Sequence, residues 1–422
     1  MSASSQAQQL LRQGRIAEGE QLYKQILETS PEDLEALNFT ALAALRRREY
    51  DRASGLLTKA VEAHPTDFHS RYHLARTHDE AGDLDQALLD YRAALDLQPS
   101  SFVARLHLAS TLDRGGARDS CLQHYVRALA EAQGQGHWLN PATTPTNLQS
   151  RVERAVQLIR EAKRGIADSV LSQLREKFGT ADMARVSKAL RIYLREVTPN
   201  YLDPRQHPTF LYFPDLPPSP YPDRHLFPWI ERFEACTAVI REEMLQRLGA
   251  ADGRERVFLN ETLERVNLRG IDNEPSWNGY YFYRHGVRRE DNCAACPATA
   301  AAIDELPLSR VFGHGPEVLY SVFTPGTHLM PHRGVTNTRL VGHLPLAVPE
   351  DCALRVGGEL HVWQEGRVIV FDDTYEHEAW NRSTGTRVVM IFDIWNPHLT
   401  DVERVAVAEL IPRMGALQSV DS

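Results

Sequence analysis

His332 and His377 stand 45 residues apart in the last third of this 422-residue chain, and Arg387 follows the second histidine by ten. The histidines close Thr-Pro-Gly-Thr-His-Leu-Met-Pro-His (324–332) and sit within Phe-Asp-Asp-Thr-Tyr-Glu-His-Glu-Ala-Trp-Asn (371–381). The arginine opens Arg-Val-Val-Met-Ile-Phe (387–392). Two imidazoles held on a β-scaffold can bind Fe(II) and leave several coordination positions open. A guanidinium on an apolar strand suits the far carboxylate of a dicarboxylate, which it grips bidentately. Such a set points to a mononuclear iron oxygenase with a dicarboxylate co-substrate.

Strand alternation extends the set. Ser321 shares a face with Leu319 and Phe323, and Arg339 and His343 share one with Val341. Arg387 shares a face with Val389, Ile391 and Asp393. If these faces line a β-domain interior, Ser321, His343 and Arg387 converge on the two histidines, and a bound dicarboxylate pairs the buried polar groups. The carboxylate that usually completes such an iron site lies two residues after the first histidine; here that residue is Gly334. Asp372, Asp373, Glu376 and Glu378 flank His377, where acids orient a ligating ring or cap a turn more often than they act as acid–base pairs.

Elements that position these residues are legible in outline. The first third repeats every 34 residues: Pro31, Pro65 and Pro99; Ala7, Ala41, Ala75 and Ala109; Tyr23, Leu57, Tyr91 and Tyr125. Glycine recurs at 14, 82 and 116, with Arg48 in the remaining slot. This is the period of tetratricopeptide helix pairs, and four units are expected over 3–131, stacked into an α-helical solenoid. Residues 132–200 read as a Gly/Pro/Thr-rich linker followed by bridging helices from about Leu148 to Leu194. Pro204 to Pro228 is too rich in proline for a regular element, and Phe227 to Leu248 reads as one amphipathic helix. Short apolar strands then dominate, clearest at Val318–Phe323, Arg339–Val348, Val368–Phe371 and Arg387–Phe392. The expected domain over 201–411 is a jelly-roll sandwich.

Residues 310–400 resemble the aspartyl/asparaginyl β-hydroxylase family of Fe(II)- and 2-oxoglutarate-dependent oxygenases. The resemblance rests on Pro-Gly-Thr-His-Leu-Met-Pro-His, Thr-Asn-Thr-Arg-Leu-Val-Gly-His-Leu, Glu-Gly-Arg-Val-Ile-Val-Phe-Asp-Asp-Thr-Tyr-Glu-His-Glu-Ala-Trp-Asn and Phe-Asp-Ile-Trp-Asn-Pro. It thins out toward residue 205. An N-terminal tetratricopeptide array also fits the family's arrangement. The resemblance implies a double-stranded β-helix in which His332 and His377 ligate Fe(II) and O2 reacts there. It implies that Arg387 and Ser321 hold the distal carboxylate of 2-oxoglutarate, and that His343 contacts the end nearer the metal. A second co-substrate arginine of the animal enzyme falls where Val341 stands, which leaves Arg339 as its substitute. The family likewise lacks the third-ligand carboxylate, with water in its place; related halogenases use the same vacancy for chloride, but the flanking motifs here are those of hydroxylases. The substrate implied is an Asp/Asn-type residue of a peptide or protein held by the repeats. Lipid acyl-chain hydroxylation by the same family and a repeat scaffold with an inactive oxygenase domain are the alternatives.

Composition limits partners. A net charge of −9 argues against affinity for phosphate backbones or anionic lipid, so nucleic acid is not an expected partner. No apolar stretch reaches the length of a membrane span, and the polar N-terminus lacks a signal sequence's apolar core. Five scattered cysteines do not make a disulfide framework, and Cys293-Ala-Ala-Cys296 has no second pair to complete a zinc site. A reducing cytoplasm is the expected location. Substrate identity, stereochemistry and oligomeric state are not written in the sequence.

Overall fold

A computed structural model describes residues 3–179, 183–250, 255–256, 268–269 and 277–415. The chain divides into two compact units between Lys163 and Arg164. Parts of the strand-rich stretch expected from Glu255 onward (257–267 and 270–276) lie outside the described residues.

In the first unit, eight helices pair antiparallel: α1 (Ala3–Arg12), α2 (Ile16–Thr29), α3 (Leu34–Arg46), α4 (Tyr50–Ala63), α5 (Phe68–Ala81), α6 (Leu84–Leu97), α7 (Phe102–Arg114) and α8 (Arg118–Gly134). The 34-residue spacing is a packing register. Ala7, Ala41, Ala75 and Ala109 are all fully buried where paired helices approach, and Tyr23, Leu57, Tyr91 and Tyr125 fill the space between pairs. Gly14, Gly82 and Gly116 turn between helices with positive φ, and Arg48, in the fourth slot, adopts φ 60 as well. A further register accompanies the prolines. Asp33, Asp67 and Ser101 each follow a proline by two and cap α3, α5 and α7 by accepting from the backbone N–H of Ala36, Ser70 and Ala104.

The bridging stretch forms α9 (Gln149–Phe178) and α10 (Ala184–Tyr193). Val152, Ala155 and Leu158 of α9 join the core of the last repeat. Ala167, Val170 and Leu174, further along, pack with Val186 and Leu190 of α10 in the second unit. The helix expected over Phe227–Leu248 is two helices, α11 (Ile230–Ala235) and α12 (Thr237–Ala250), broken at Cys236. Its apolar face must follow the curved sheet below, where Phe233 meets Phe392.

Twelve strands are described: β1 (Glu255–Arg256), β2 (Leu268–Arg269), β3 (Trp277–Arg284), β4 (Val287–Arg288), β5 (Val318–Phe323), β6 (His328–His332), β7 (Arg339–Ala347), β8 (Cys352–Val356), β9 (Glu359–His361), β10 (Ile369–Phe371), β11 (His377–Asn381) and β12 (Arg387–Trp395). Two short helices, α13 (Glu290–Ala295) and α14 (Pro297–Asp304), separate β4 from β5, and α15 (Asp401–Gly415) follows β12. One sheet runs β1-β3-β5-β12-β7-β10 with β4 beside β3; the other runs β2-β6-β11-β8-β9. Every pairing is antiparallel. The sheets share an apolar layer in which Leu319, Val341 and Val389 of the larger meet Leu354, Val356 and Ala379 of the smaller. The larger sheet's other face packs under α11, α12 and α14. Gly342 is obligatory there, because a Cβ would lie 2.1 Å from the Phe392 ring.

Burial in the repeats has a pH consequence. His107 in α7 is 5% exposed, and desolvation pushes its pKa down to about 3, with His73 in α5 lowered to about 4. The unfolded chain takes up these protons near pH 6.5 and the folded chain does not, so the stabilisation is complete above pH 6.5 and falls as pH drops below it. Each group contributes about 1.4 kcal/mol per pH unit until its folded pKa is reached. The thermal midpoint of the wild type should therefore fall more steeply between pH 6.5 and 4 than that of His107→Gln, measured by circular dichroism.

Candidate functional site

The two histidines are cross-strand neighbours. His332 ends β6, His377 begins β11, and they are register partners with ring centroids 4.1 Å apart. Each ring is fixed by a backbone carbonyl two residues earlier. His332 Nδ1 bonds the Met330 carbonyl at 2.9 Å, and His377 Nδ1 bonds the Tyr375 carbonyl at 3.1 Å. An Nδ1–H that donates to a carbonyl leaves Nε2 with its lone pair, the form that ligates a metal. Burial holds both imidazoles below their ordinary pKa, His377 far below, so both are neutral donors at physiological pH.

Across the apolar layer lies Arg387 on β12, 1% exposed. One of its terminal nitrogens donates to Ser321 Oγ on β5 at 3.1 Å, while Nε has no partner. The guanidinium lies between the rings of Phe323 and Trp363, 4.3 Å from each centroid. Among the described residues no carboxylate pairs with it. Desolvation alone pushes its pKa down to about 9, so it stays cationic at neutral pH. An unpaired charge buried this deeply costs several kcal/mol, and a carboxylate ligand would remove that cost. Ser321 also accepts from Trp277 Nε1 at 2.9 Å, which fixes the hydroxyl beside the guanidinium.

His343 on β7 completes the group. It is 4% exposed, its Nδ1 has no partner, and Phe371 and Trp363 lie 5.0 and 5.8 Å from its ring. Its pKa is driven well down, first by burial and then by the Arg387 charge. Phe371 also lies 5.7 Å from His377. Ser321, His343, Arg387, His332 and His377 are thus brought to one interior.

Arg339 is placed differently. It shares the His343 face, but its guanidinium is already committed, one nitrogen to Asp373 and the other to Asp393, each at 2.8 Å. Both carboxylates raise its pKa, so the expectation that it substitutes for a co-substrate arginine gives way to a structural role. Two buried acids already balance its charge.

The acids around His377 are all engaged. Asp372 accepts from Thr374 and from Gln206 Nε2, and Glu378 bonds His328 and Arg355. Asp373 receives the Gly334 N–H on its own carbonyl at 2.7 Å, and its carboxylate fills the space beside Gly334, where a Cβ would lie 2.2 Å away. Gly334 is therefore not an open slot: the pocket that a side chain there requires is taken by Asp373. Trp277, Trp363 and Asp373 were not picked out as site residues, because the contacts that matter come from different strands. Among the described residues no three His, Cys, Asp or Glu side chains are grouped to hold a metal; the histidine pair is what the protein could offer one. Two neutral imidazoles, a buried cation with no carboxylate partner among the described residues and an apolar surround could hold a metal ion beside an anionic ligand.

Removing Arg339 leaves Asp373 and Asp393 buried without their cation. Burial already pushes Asp393 up to about 6 despite the guanidinium. Arg339→Met should cost about 3–5 kcal/mol, read as a lower urea midpoint at pH 7.5, with part of the loss recovered at pH 5 where the acids protonate. Equal stability of variant and wild type at pH 7.5 would contradict this.

Known proteins match this chain over both its repeats and its β-rich part. The family model described as Aspartyl/Asparaginyl beta-hydroxylase matches residues 234–397, and a tetratricopeptide repeat model matches 5–68. The chain is 35% identical over 176 residues to human aspartyl/asparaginyl beta-hydroxylase, covering 42% of this chain and 22% of that protein. It is 35% identical over 196 residues to the ornithine lipid ester-linked acyl 2-hydroxylase of Rhizobium tropici, 44% of this chain and 64% of that one. It is 32% identical over 251 residues to mouse aspartate beta-hydroxylase domain-containing protein 2, 56% of this chain and 68% of the relative. The chain therefore spans about a fifth of the human enzyme's length and about two thirds of the mouse protein's. With tetratricopeptide repeats in front of a β-rich domain, the chain belongs to the aspartyl/asparaginyl β-hydroxylase family.

Proposed function

We propose that the protein is an Fe(II)- and 2-oxoglutarate-dependent dioxygenase that hydroxylates an unactivated C–H bond, most plainly the β-carbon of an Asp/Asn-type residue in a peptide or protein. The observation that carries this reading is Arg387, a fully buried guanidinium with an unpaired Nε and no acidic partner among the described residues. His332 and His377 offer Nε2 to the iron. Arg387 and Ser321 receive the distal carboxylate of 2-oxoglutarate, with Trp277 holding the serine in place. His343 stands toward the metal end of the same ligand. Phe323, Phe371 and Trp363 wall the interior and keep water from it, which strengthens each polar contact made there. When bound, iron with 2-oxoglutarate and O2 supplies the oxidation of the C–H bond, with succinate and CO2 as co-products. The protein's share is orientation and dryness. The repeats hold the substrate polypeptide.

A second reading, hydroxylation of a lipid acyl chain, is favoured by the relative in Rhizobium tropici. Among the described residues no helix is long and apolar enough to cross a membrane. Hydroxylated acyl chains appearing in lipid extracts only on expression of the wild type would favour it over the peptide reading.

The deciding experiment is succinate release by anaerobically purified protein given Fe(II), 2-oxoglutarate and O2. Wild type should release succinate and His377→Ala should not. Arg387→Met should raise the KM for 2-oxoglutarate about 100-fold, since removing one partner of a buried charge pair costs about 2–5 kcal/mol. Wild type that neither releases succinate nor binds Fe(II) would instead mark the β-domain as a retired scaffold.

A further inference from the structure

The third and fourth repeats contain a polar cluster that the iron site does not use. Tyr72 and His73 of α5, Tyr91 of α6 and His107 of α7 form one group of rings. Tyr72 lies 6.2 Å from Tyr91, 5.8 Å from His107 and 5.3 Å from His73, and Tyr91 lies 5.9 Å from His107. Three polar atoms inside it lack hydrogen-bond partners: His73 Nδ1, Tyr91 Oη and His107 Nδ1. Tyr91 is fully buried and His107 nearly so. An unmade bond at such a place costs about 1–3 kcal/mol, and buried polar groups seldom go unpaired. These atoms are closed to solvent, so three in one cluster make a polar floor beneath any occupant rather than its direct partners.

The surrounding charges say what kind. Arg76 stands one turn beyond Tyr72 on α5, and Arg151 lies at the start of α9. Both act electrostatically on Tyr72, Tyr91 and His107, and Arg114 also acts on His107. Facing them are Asp79 and Glu80. Asp79 is consumed by Arg114 and by Thr111 Oγ1, and Glu80 pairs with Arg76 at 3.0 Å. Arg151 has no acidic partner among the described residues, so three guanidiniums face two carboxylates. Beside them the half-buried rings of Phe68 and Tyr72 lie parallel, 5.8 Å apart, as an apolar shelf.

We infer that this cluster is a docking site for an acidic polypeptide segment, with Arg151 and Arg76 taking a side-chain carboxylate and the Phe68–Tyr72 shelf carrying the adjoining chain. This deepens the reading above, on which the repeats hold the substrate: it assigns that substrate a carboxylate-bearing docking segment separate from the residue hydroxylated. The charge balance favours specificity. A chain of net charge −9 repels an acidic peptide overall, so attraction must come from a local site.

The test is fluorescence anisotropy of labelled N-acetyl-hexaglutamate with the full chain at low salt, beside labelled hexalysine, with and without saturating 2-oxoglutarate. Saturable hexaglutamate binding is expected, unchanged by 2-oxoglutarate and by His377→Ala, which separates it from the Arg387 pocket. Arg151→Gln should weaken binding at least tenfold, Arg151→Lys should restore most of it, and Arg76→Gln should act in the same direction as Arg151→Gln. All three variants should release succinate as the wild type does. Absence of saturable hexaglutamate binding, equal binding by Arg151→Gln, or equal binding of hexalysine would overturn the proposal. Because succinate release is read separately, loss of the docking site and failure of the oxygenase reading are distinguishable.

Discussion

A guanidinium sealed between two aromatic rings governs the β-domain. Arg387 cannot be hydrated where it lies, and Ser321 gives it a single neutral hydrogen bond. Everything nearby is arranged to tolerate that charge. Trp277 orients the serine, Phe323 and Trp363 present π-faces to the cation, and His343 stays neutral beside it. On the proposed function, a ligand here would be selected by electrostatics first, since only an anion relieves the desolvation cost.

The second organising element is the pairing of strands β6 and β11. Their register sets His332 against His377, and a carbonyl two residues earlier fixes each ring. Behind them, Arg339 ties Asp373 on the loop before β11 to Asp393 on β12. This ion triad links the larger sheet to the segment that carries His377, so the geometry of the histidine pair is inherited from both sheets. On the proposed function, such preorganisation would favour metal binding.

Much of this was legible in the sequence, for identifiable reasons. The 34-residue register survives because each repeat buries the same small residue at the same helix crossing, and a periodic constraint leaves a periodic trace. His332, His377 and Arg387 were legible because a polar side chain on an apolar strand demands an explanation. Arg339 was misleading for the same reason: its face was read correctly, but its partners come from distant parts of the chain, and pairing across sheets has no local signature. The break at Cys236 was invisible because both halves of the helix carry the same apolar stripe. Trp277 and Trp363 look like ordinary core residues until the guanidinium between the strands is seen.

The close approach at Gly334 has a consequence for how this lineage can change. A carboxylate placed at 334 by one substitution would collide with Asp373, whose oxygens lie 2.2 and 2.3 Å from the required Cβ. Replacing Asp373 to make room would strip Arg339 of one of its two partners and leave a buried charge undercompensated. Each single step is therefore unfavourable, although the pair of changes together need not be. Position 334 is thus locked by a pairwise constraint: the repeats and the rim can change one residue at a time, while a side chain at 334 requires a concerted change at 373.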